Sequence, residues 1–234
     1  MLDKSEYLHP DKECLSRQEI EALQLERLKK TVRHCYTNAF YKKRFDEMGI
    51  TPDDIQTLDD VRKLPFTTKQ DLRDNYPFGL ACVPLEKCTR LHSSSGTTGN
   101  PTVILHTQKD IDEWANAVAR CLHMVGLRPT DVFQNSSGYG MFTGGMGIHD
   151  GIAARGAIQL PTSSGNTVKQ IMLMQDFGST ALACTPSYAM HIAESIHASK
   201  IVSVNKMKLR AGFFGAEPWT EGMRKELERK LHIK

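Results

Sequence analysis

The sequence reads as an α/β protein, a mostly parallel sheet flanked by helices, preceded by a long helix. Two observations predict this. From residue 89 onward, apolar runs of strand length alternate with longer runs of helical character. That alternation is the pattern of parallel strands joined by crossover helices. Before residue 88 the segments read as helix and turn and carry no obvious chemistry. We therefore expect residues 1–88 to be a helical N-terminal region packed on the core, and residues 89–234 to form the α/β portion. The 234 residues allow one large domain or two small ones.

Residues 16–48 read as one long helix. Ser16 and Glu19 make a capping box, in which side chains satisfy two otherwise unpaired backbone N–H groups. Ile20, Leu23, Leu28 and Val32 follow a helical stripe, and Gly49 is a fitting stop. Residues 52–64 are acidic and turn-like, and Thr68 with Asp71 starts a short helix. Arg90–His92 and Val103–Leu105 are strand-like. Thr107 with Asp110 opens a helix running to about Val125. Strands are then expected at 131–134, 157–160, 180–183 and 208–214. The helices between and after them are a glycine-rich one over 144–155, then 167–177, 186–199 with Pro at its first turn, and 220–231 capped by Thr220. In open sheets of this kind, ligands sit at the carboxyl ends of the strands.

Composition excludes several classes. A hydrophobic content of 40% and a charged content of 24% are ordinary for a globular protein. A formal charge of +3 without a clustered basic face gives no case for nucleic acid. The basic stretch from Lys29 to Arg44 reads as a solvated helix face. Cys14, Cys35, Cys82, Cys88, Cys121 and Cys184 form no Cys-x-x-Cys pair, which argues against a zinc ribbon or redox motif. The first residues have no apolar signal core. No segment approaches the roughly 18 apolar residues of a membrane span. The expectation is a cytoplasmic protein with free thiols and no membrane or nucleic-acid partner. Met141, Met146, Met172, Met174 and Met190 read as core filler.

One stretch stands out: Leu91 to Thr102, "LHSSSGTTGNPT". Gly96 and Gly99 tolerate positive φ, so the backbone can fold closely around a ligand. Successive N–H groups can then share one concavity that suits an anion. The hydroxyls of Ser94, Ser95, Thr97 and Thr98 add donors for phosphate oxygens. The alternative is a mobile surface linker, which the apolar flanks on both sides disfavour. The loop is not Gly-x-x-x-x-Gly-Lys-Ser/Thr, and no helix follows it immediately.

Ser-Ser-Gly-Thr-Thr-Gly-x-Pro-Thr resembles the phosphate loop of adenylate-forming enzymes. Further segments resemble phenylacetate–CoA ligases in particular: "LPFTTKQDLRDNYPFG" (64–79), "GYGMFTGGMGIHDG" (138–151), "CTPSYAMHIAE" (184–194) and "GAEPWTEGMRKELE" (215–228). The resemblance implies the N-terminal portion of an adenylate-forming enzyme's large domain. It implies ATP, Mg2+ and coenzyme A as reactants and cofactors, and an aryl acid as substrate. The acid's carboxylate attacks the α-phosphate of ATP, and the coenzyme A thiol then displaces AMP from the acyl-adenylate. Carried over by position, Ser94, Ser95, Gly96, Thr97, Thr98 and Gly99 hold the terminal phosphates. Gly215, Ala216, Glu217 and Pro218 line the adenine and acyl pocket. Ser137, Tyr139, Phe142, Gly144 and Gly145 shape the aryl end, and His149, the candidate catalytic residue, lies near the carboxylate. No magnesium ligand is identifiable.

Read without the resemblance, each of these has a structural alternative. Gly144, Gly145 and Gly147 can simply let a helix pack close to a strand. Tyr139 and Phe142 can be core, His149 a buried core histidine, and Glu217 a turn residue or helix-start acid. No spacing of carboxylates, or of a nucleophile and base, argues for chemistry unaided.

The chain departs from the family at three points. Asn100 stands where many members carry Lys, which removes a positive charge near the leaving pyrophosphate. Ser137 stands where phenylacetate-type members carry Tyr, which enlarges and polarises the pocket wall. After Lys234 the family continues with a nucleotide-holding segment and a small C-terminal domain bearing a catalytic Lys. The resemblance therefore implies a truncated chain lacking that domain and inactive alone. An exposed sheet edge then makes a homo-oligomer plausible. Three other readings stay open. One is a stand-alone nucleotide- or acyl-binding module. Another is an enzyme that passes the acyl group to a protein thiol. The third, an unrelated nucleotide hydrolase, is disfavoured by the missing Walker motifs.

Overall fold

The computed structural model describes residues 3–96, 99–198 and 204–233. Contacts divide the chain into two compact units, Met1–Lys109 and Asp110–Lys234. The first unit takes in the two-stranded hairpin that follows residue 88, so the divide falls after that hairpin rather than at 88/89.

In the first unit, a single turn α1 (Pro10–Glu13) precedes α2 (Arg17–Cys35) and α3 (Ala39–Glu47). The Ser16–Glu19 capping box is formed, with Ser16 N donating to Glu19 Oε2 at 2.7 Å and Glu19 N to Ser16 Oγ at 3.3 Å. The single helix expected over 16–48 is two helices. The Thr37 hydroxyl donates to the His34 carbonyl at 2.7 Å. Asn38 then caps α3, accepting from Phe40 N at 3.0 Å and donating to the carbonyls of Gly79 (3.0 Å) and Ala81 (2.9 Å). Short polar side chains that bond the backbone compete with helix continuation, and here they win. Val32, Phe45 and Ile55 are the buried centre, with Leu28, Tyr36 and Leu64 around them. Residues 52–54 and 58–63 are 3-10 turns. The expected short helix is α4 (Lys69–Asp74), held by Arg44, which donates to Asp71 Oδ1 and the Phe66 carbonyl at 2.6 Å each.

The hairpin pairs β1 (Cys88–Ser93) with β2 (Val103–Thr107) antiparallel, Leu91 opposite Leu105 and Ser93 opposite Val103. From β2 the chain enters α5 (Gln108–Met124).

The second unit is built on four parallel strands in the order β4-β3-β5-β6. They are β3 (Val132–Asn135), β4 (Ile158–Leu160), β5 (Ala181–Cys184) and β6 (Ala211–Phe214). The connecting helices are α6 (Thr143–Arg155), α7 (Thr167–Asp176) and α8 (Pro186–Ala198), and α9 (Glu221–Leu231) follows β6. The strand expected over 208–214 is shorter because Leu209 and Arg210 serve other contacts: Leu209 is buried in the core and Arg210 pairs with Asp131.

The period-2 alternation of strand side chains sorts the core into two layers. Ala181 and Ala183 face a cluster with Phe133, Ile152, Leu122 and Leu127. Leu182 and Cys184 face the opposite one, with Ile171, Met174, Ile192, Ile196, Leu227 and Leu231. Each fully buried Leu, Ile, Phe or Met among them contributes about 1.5–3 kcal/mol. The glycines of α6 answer the packing question left by the sequence. A Cβ on Gly147 would overlap the Trp114 ring of α5, and one on Gly151 would overlap Val118. They let helix approach helix, not strand. Among the methionines, Met174 is fully buried, whereas Met141 and Met172 are 57% and 47% exposed and fill no core.

Below the sheet, Asp131 is buried among donors. It takes Arg210 through both carboxylate oxygens, the Thr180 hydroxyl at 2.7 Å and Arg128 N at 2.6 Å. Burial works to raise its pKa, but these donors outweigh it and hold the carboxyl below its ordinary range.

Candidate active site

In the second unit, the loops that leave the carboxyl ends of β3, β4, β5 and β6 share one rim of the parallel sheet. Strands β3 and β5 are neighbours, yet β3 leads through α6 to β4 on one side while β5 leads through α8 to β6 on the other. A crevice opens where neighbouring connections diverge in this way.

The end of β3 is polar and fully buried. Gln134, Asn135, Ser136, Gln170 and Ser179 are each at most 3% exposed, so each needs partners. Gln134 Nε2 donates to Gln170 Oε1 at 2.7 Å, the Ser136 hydroxyl donates to the same oxygen at 2.9 Å, and the Ser179 hydroxyl donates to Gln134 Oε1 at 3.0 Å. Gln170 Nε2 in turn holds the 163–165 loop through the carbonyls of Ser163 (2.5 Å) and Gly165 (3.2 Å). A closed network of this kind rigidifies what it supports. Here it supports the loop that carries Ser137, Tyr139 and Phe142.

Asn135 faces the α6 side of the rim. Its Nδ2 donates to Tyr139 Oη at 2.8 Å and to the Gly145 carbonyl at 3.0 Å, and its Oδ1 accepts from Ser137 N at 3.2 Å. Tyr139 is half-buried, its ring edge-on to His149 with centroids 5.7 Å apart. Burial pushes its phenol pKa up. Gly145 sits so close to the Gly138 carbonyl that any side chain there would overlap it, whereas Gly144 is open and exposed. Phe142 is 63% exposed, an aromatic face at the rim and not core. His149 is half-buried.

On the β6 side of the rim, Gly215–Pro218 follow β6. Ala216 has φ +72°, a left-handed conformation costly for a residue with a Cβ. The Glu217 carboxylate beside it accepts from Ser187 N, in the first turn of α8, at 2.5 Å. The Ser187 hydroxyl and amide hold its pKa below the ordinary carboxylate range. A negative charge at a helix N-terminus is favourable, and the contact ties the ends of β5 and β6 together.

In the first unit, the hydroxyl- and glycine-rich loop closes the β1–β2 hairpin. Ser94 N donates to the Thr102 carbonyl at 3.0 Å, and Thr102 N donates to Ser94 Oγ at 2.9 Å. The Ser94 amide is therefore spent on the hairpin, while its hydroxyl hydrogen stays free of that contact. Gly96 has φ +67°, and a Cβ there would press on the Gly99 carbonyl and Pro101 at 3.1–3.3 Å, so glycine is required. Ser95, Gly99 and Asn100 are exposed. Thr97 and Thr98 lie outside the described residues. No group of three or more His, Cys, Asp or Glu among the described residues is arranged to hold a metal ion. No helix among them is long and apolar enough to cross a membrane.

The second unit thus brings Ser137, Tyr139, Phe142, Gly144, Gly145, His149 and Gly215–Pro218 to one rim. Sequence reasoning missed Asn135, Gln170 and Ser187. Only Asn135 left a signal, the polar run from Gln134 to Ser137 that ends its strand, whereas Gln170 and Ser187 lie on α7 and α8.

No protein-family profile matches the chain. Among solved structures, its fold is similar to 2-hydroxyisobutyryl-CoA ligase in complex with 2-HIB-AMP and CoA in the thioesterification state. The TM-score is 0.91 at 27% identity, over 100% of this chain and 51% of that one. An open conformation of the same enzyme gives 0.85 at 25% identity, over 94% and 49%. The fold is that of an adenylate-forming CoA ligase over part of its length. By sequence, the chain is 50% identical to phenylacetate–coenzyme A ligase of Escherichia coli, over 94% of this chain and 51% of the relative. It is 46% identical to that of Thermus thermophilus, over 96% and 51%. Over about half of their length, curated phenylacetate–coenzyme A ligases are thus similar to nearly all of this chain at 46–50% identity. It spans about half the length of these curated relatives.

Proposed function

We propose that the chain is part of an ATP-dependent ligase that activates an aryl, phenylacetate-like acid and delivers it to coenzyme A. The observation that carries this reading is identity of 46–50% to curated phenylacetate–coenzyme A ligases over at least nine-tenths of the chain. In the first step an acid oxygen attacks the α-phosphorus of ATP, forming the acyl–phosphate bond and expelling pyrophosphate. In the second, the coenzyme A sulfur attacks the acyl carbon, AMP leaves, and the thiol proton goes to solvent.

Within this scheme the residues supply position and charge stabilisation. Ser94 to Gly99 take the terminal phosphates, and Gly215–Pro218 line the nucleotide and acyl pocket. Ser137, Tyr139, Phe142, Gly144 and Gly145 form the aryl end, and His149 faces the acid carboxylate. Magnesium would arrive on the ATP phosphates, whose oxygens suit a hard cation that keeps much of its water. The free cysteines fit a reducing compartment such as the cytoplasm. Residues 1–234 by themselves match half of the relatives' length, and they are expected to bind nucleotide weakly and turn over negligibly.

The test is product analysis on the intact gene product that carries these residues, given ATP, Mg2+, coenzyme A and phenylacetate. Acyl-CoA, AMP and pyrophosphate in equal amounts are expected. ADP release, or ATP breakdown without any acid, overturns the reading. Coenzyme-A-independent acylation of a carrier-protein thiol replaces it with the protein-thiol alternative. Calorimetric titration of residues 1–234 with AMP separates the stand-alone binding module, which predicts tight binding without turnover.

A further inference from the structure

Tyr139 is held by three elements at once. Its hydroxyl oxygen accepts from Asn135 Nδ2 on β3 at 2.8 Å and lies 3.5 Å from Gln159 Nε2 on β4. The orientation of the Asn135 amide is fixed independently, since its Oδ1 accepts from Ser137 N and its Nδ2 also donates to the Gly145 carbonyl. Both groups offered to the phenol oxygen are therefore donors. They take up its lone pairs and leave its own hydrogen to be given away.

The third partner is His149 Nδ1 on α6, 3.4 Å away, with the two rings at an interplanar angle of 90°. An imidazole nitrogen that accepts a phenol hydrogen carries none itself, and the ring's hydrogen then sits on Nε2. We propose that Tyr139 is a positioning residue that fixes His149 with Nδ1 as acceptor and Nε2–H as a donor, aimed to meet an anionic oxygen of a carboxylate or acyl phosphate. The tautomer follows from the Asn135–Tyr139–His149 chain alone. Its use on a carboxylate rests on the ligase reading above. The Tyr139 hydroxyl thus clasps the back of the aryl end to β3, β4 and α6.

The experiment is nitrogen NMR of the chain with labelled histidine, the His149 signals assigned by their loss in His149→Gln. In the wild type, His149 Nδ1 should report an unprotonated, hydrogen-bonded nitrogen, and Nε2 a protonated one. In Tyr139→Phe the Nδ1 signal should move to that of an acceptor without a donor, with part of the population switching to Nδ1–H. A wild-type spectrum with Nδ1 protonated overturns the proposal, and so does an Nδ1 shift unchanged in Tyr139→Phe. Should that variant fail to fold, the wild-type spectrum decides alone. A non-hydrolysable phenylacetyl-adenylate analogue, titrated until its own binding saturates, then separates the two layers. Movement of Nε2 supports both. Nδ1 as acceptor with no response to the analogue upholds the tautomer and overturns the placement of His149 beside the acid.

Discussion

Ser137 and Asn100 are two positions at which the resemblance leads one to expect Tyr and Lys, and each carries a prediction. Ser137 sits on the rim loop, its backbone N–H held by Asn135 Oδ1. A hydroxymethyl there leaves room that a phenol would fill. In the intact enzyme Ser137→Tyr is expected to favour phenylacetate over larger or more polar aryl acids by roughly tenfold in kcat/KM, the discrimination a few buried carbons provide. Unchanged ratios across an acid panel would remove Ser137 from the pocket. Asn100 is exposed in the hairpin loop, so a charge placed there is partly screened. Asn100→Lys should tighten ATP binding or speed adenylation by roughly threefold to tenfold. That gain should shrink as salt rises. Neither changing would show that position 100 does not face the pyrophosphate.

Helix α6 illustrates how one segment serves packing and site together. Gly147 and Gly151 bring it onto α5, and Gly145 brings its first turn under the Gly138 carbonyl. The same helix carries His149. Gly151→Val forces overlap with Val118 and should destabilise the second unit by about 1–3 kcal/mol, read as a lower urea midpoint with an unchanged slope. Full stability would mean that α5 and α6 are not in this contact. The buried Asp131 makes the pH prediction. Its folded pKa lies below that of the unfolded carboxyl because Arg210, Arg128 N and Thr180 outweigh its burial. Its stabilisation is thus fully present above the unfolded carboxylate range and is lost as pH falls through the folded value. Arg210 is 42% exposed and can be solvated once Asp131 is gone. Asp131→Asn should therefore cost about 1–3 kcal/mol and flatten the acid limb of the stability curve. An acid limb identical to the wild type would exclude this group.

The two-unit molecule was legible in the sequence to different depths. Alternating strand and helix signals beyond residue 89 marked every strand of the parallel sheet, because each opens on an apolar residue and lies between helical runs, even where Gln134, Asn135 and Gln159 interrupt it. The break at Asn38 left a local mark in the adjacent Thr37 and Asn38, but the bonds from Asn38 to Gly79 and Ala81 that complete it are not local. Motif segments led to Ser137–Gly145, His149 and Gly215–Pro218, which the fold gathers at one rim. The Gln134–Gln170 and Asn135–Tyr139 networks were not legible, because their partners lie far apart in the chain or on different elements. Glu217 was readable as a pocket residue or as a turn or helix-start acid, and its tie to Ser187 required the strands' parallel order. In the proposed ligase, the rim residues serve acid adenylation. Exchange of labelled pyrophosphate into ATP, measured on the intact gene product across aryl acids and without coenzyme A, isolates that half-reaction. Exchange is expected only with an aryl acid, and it is expected to fall when His149 or Glu217 is replaced. Exchange in the absence of acid, or none with any carboxylic acid, would contradict it.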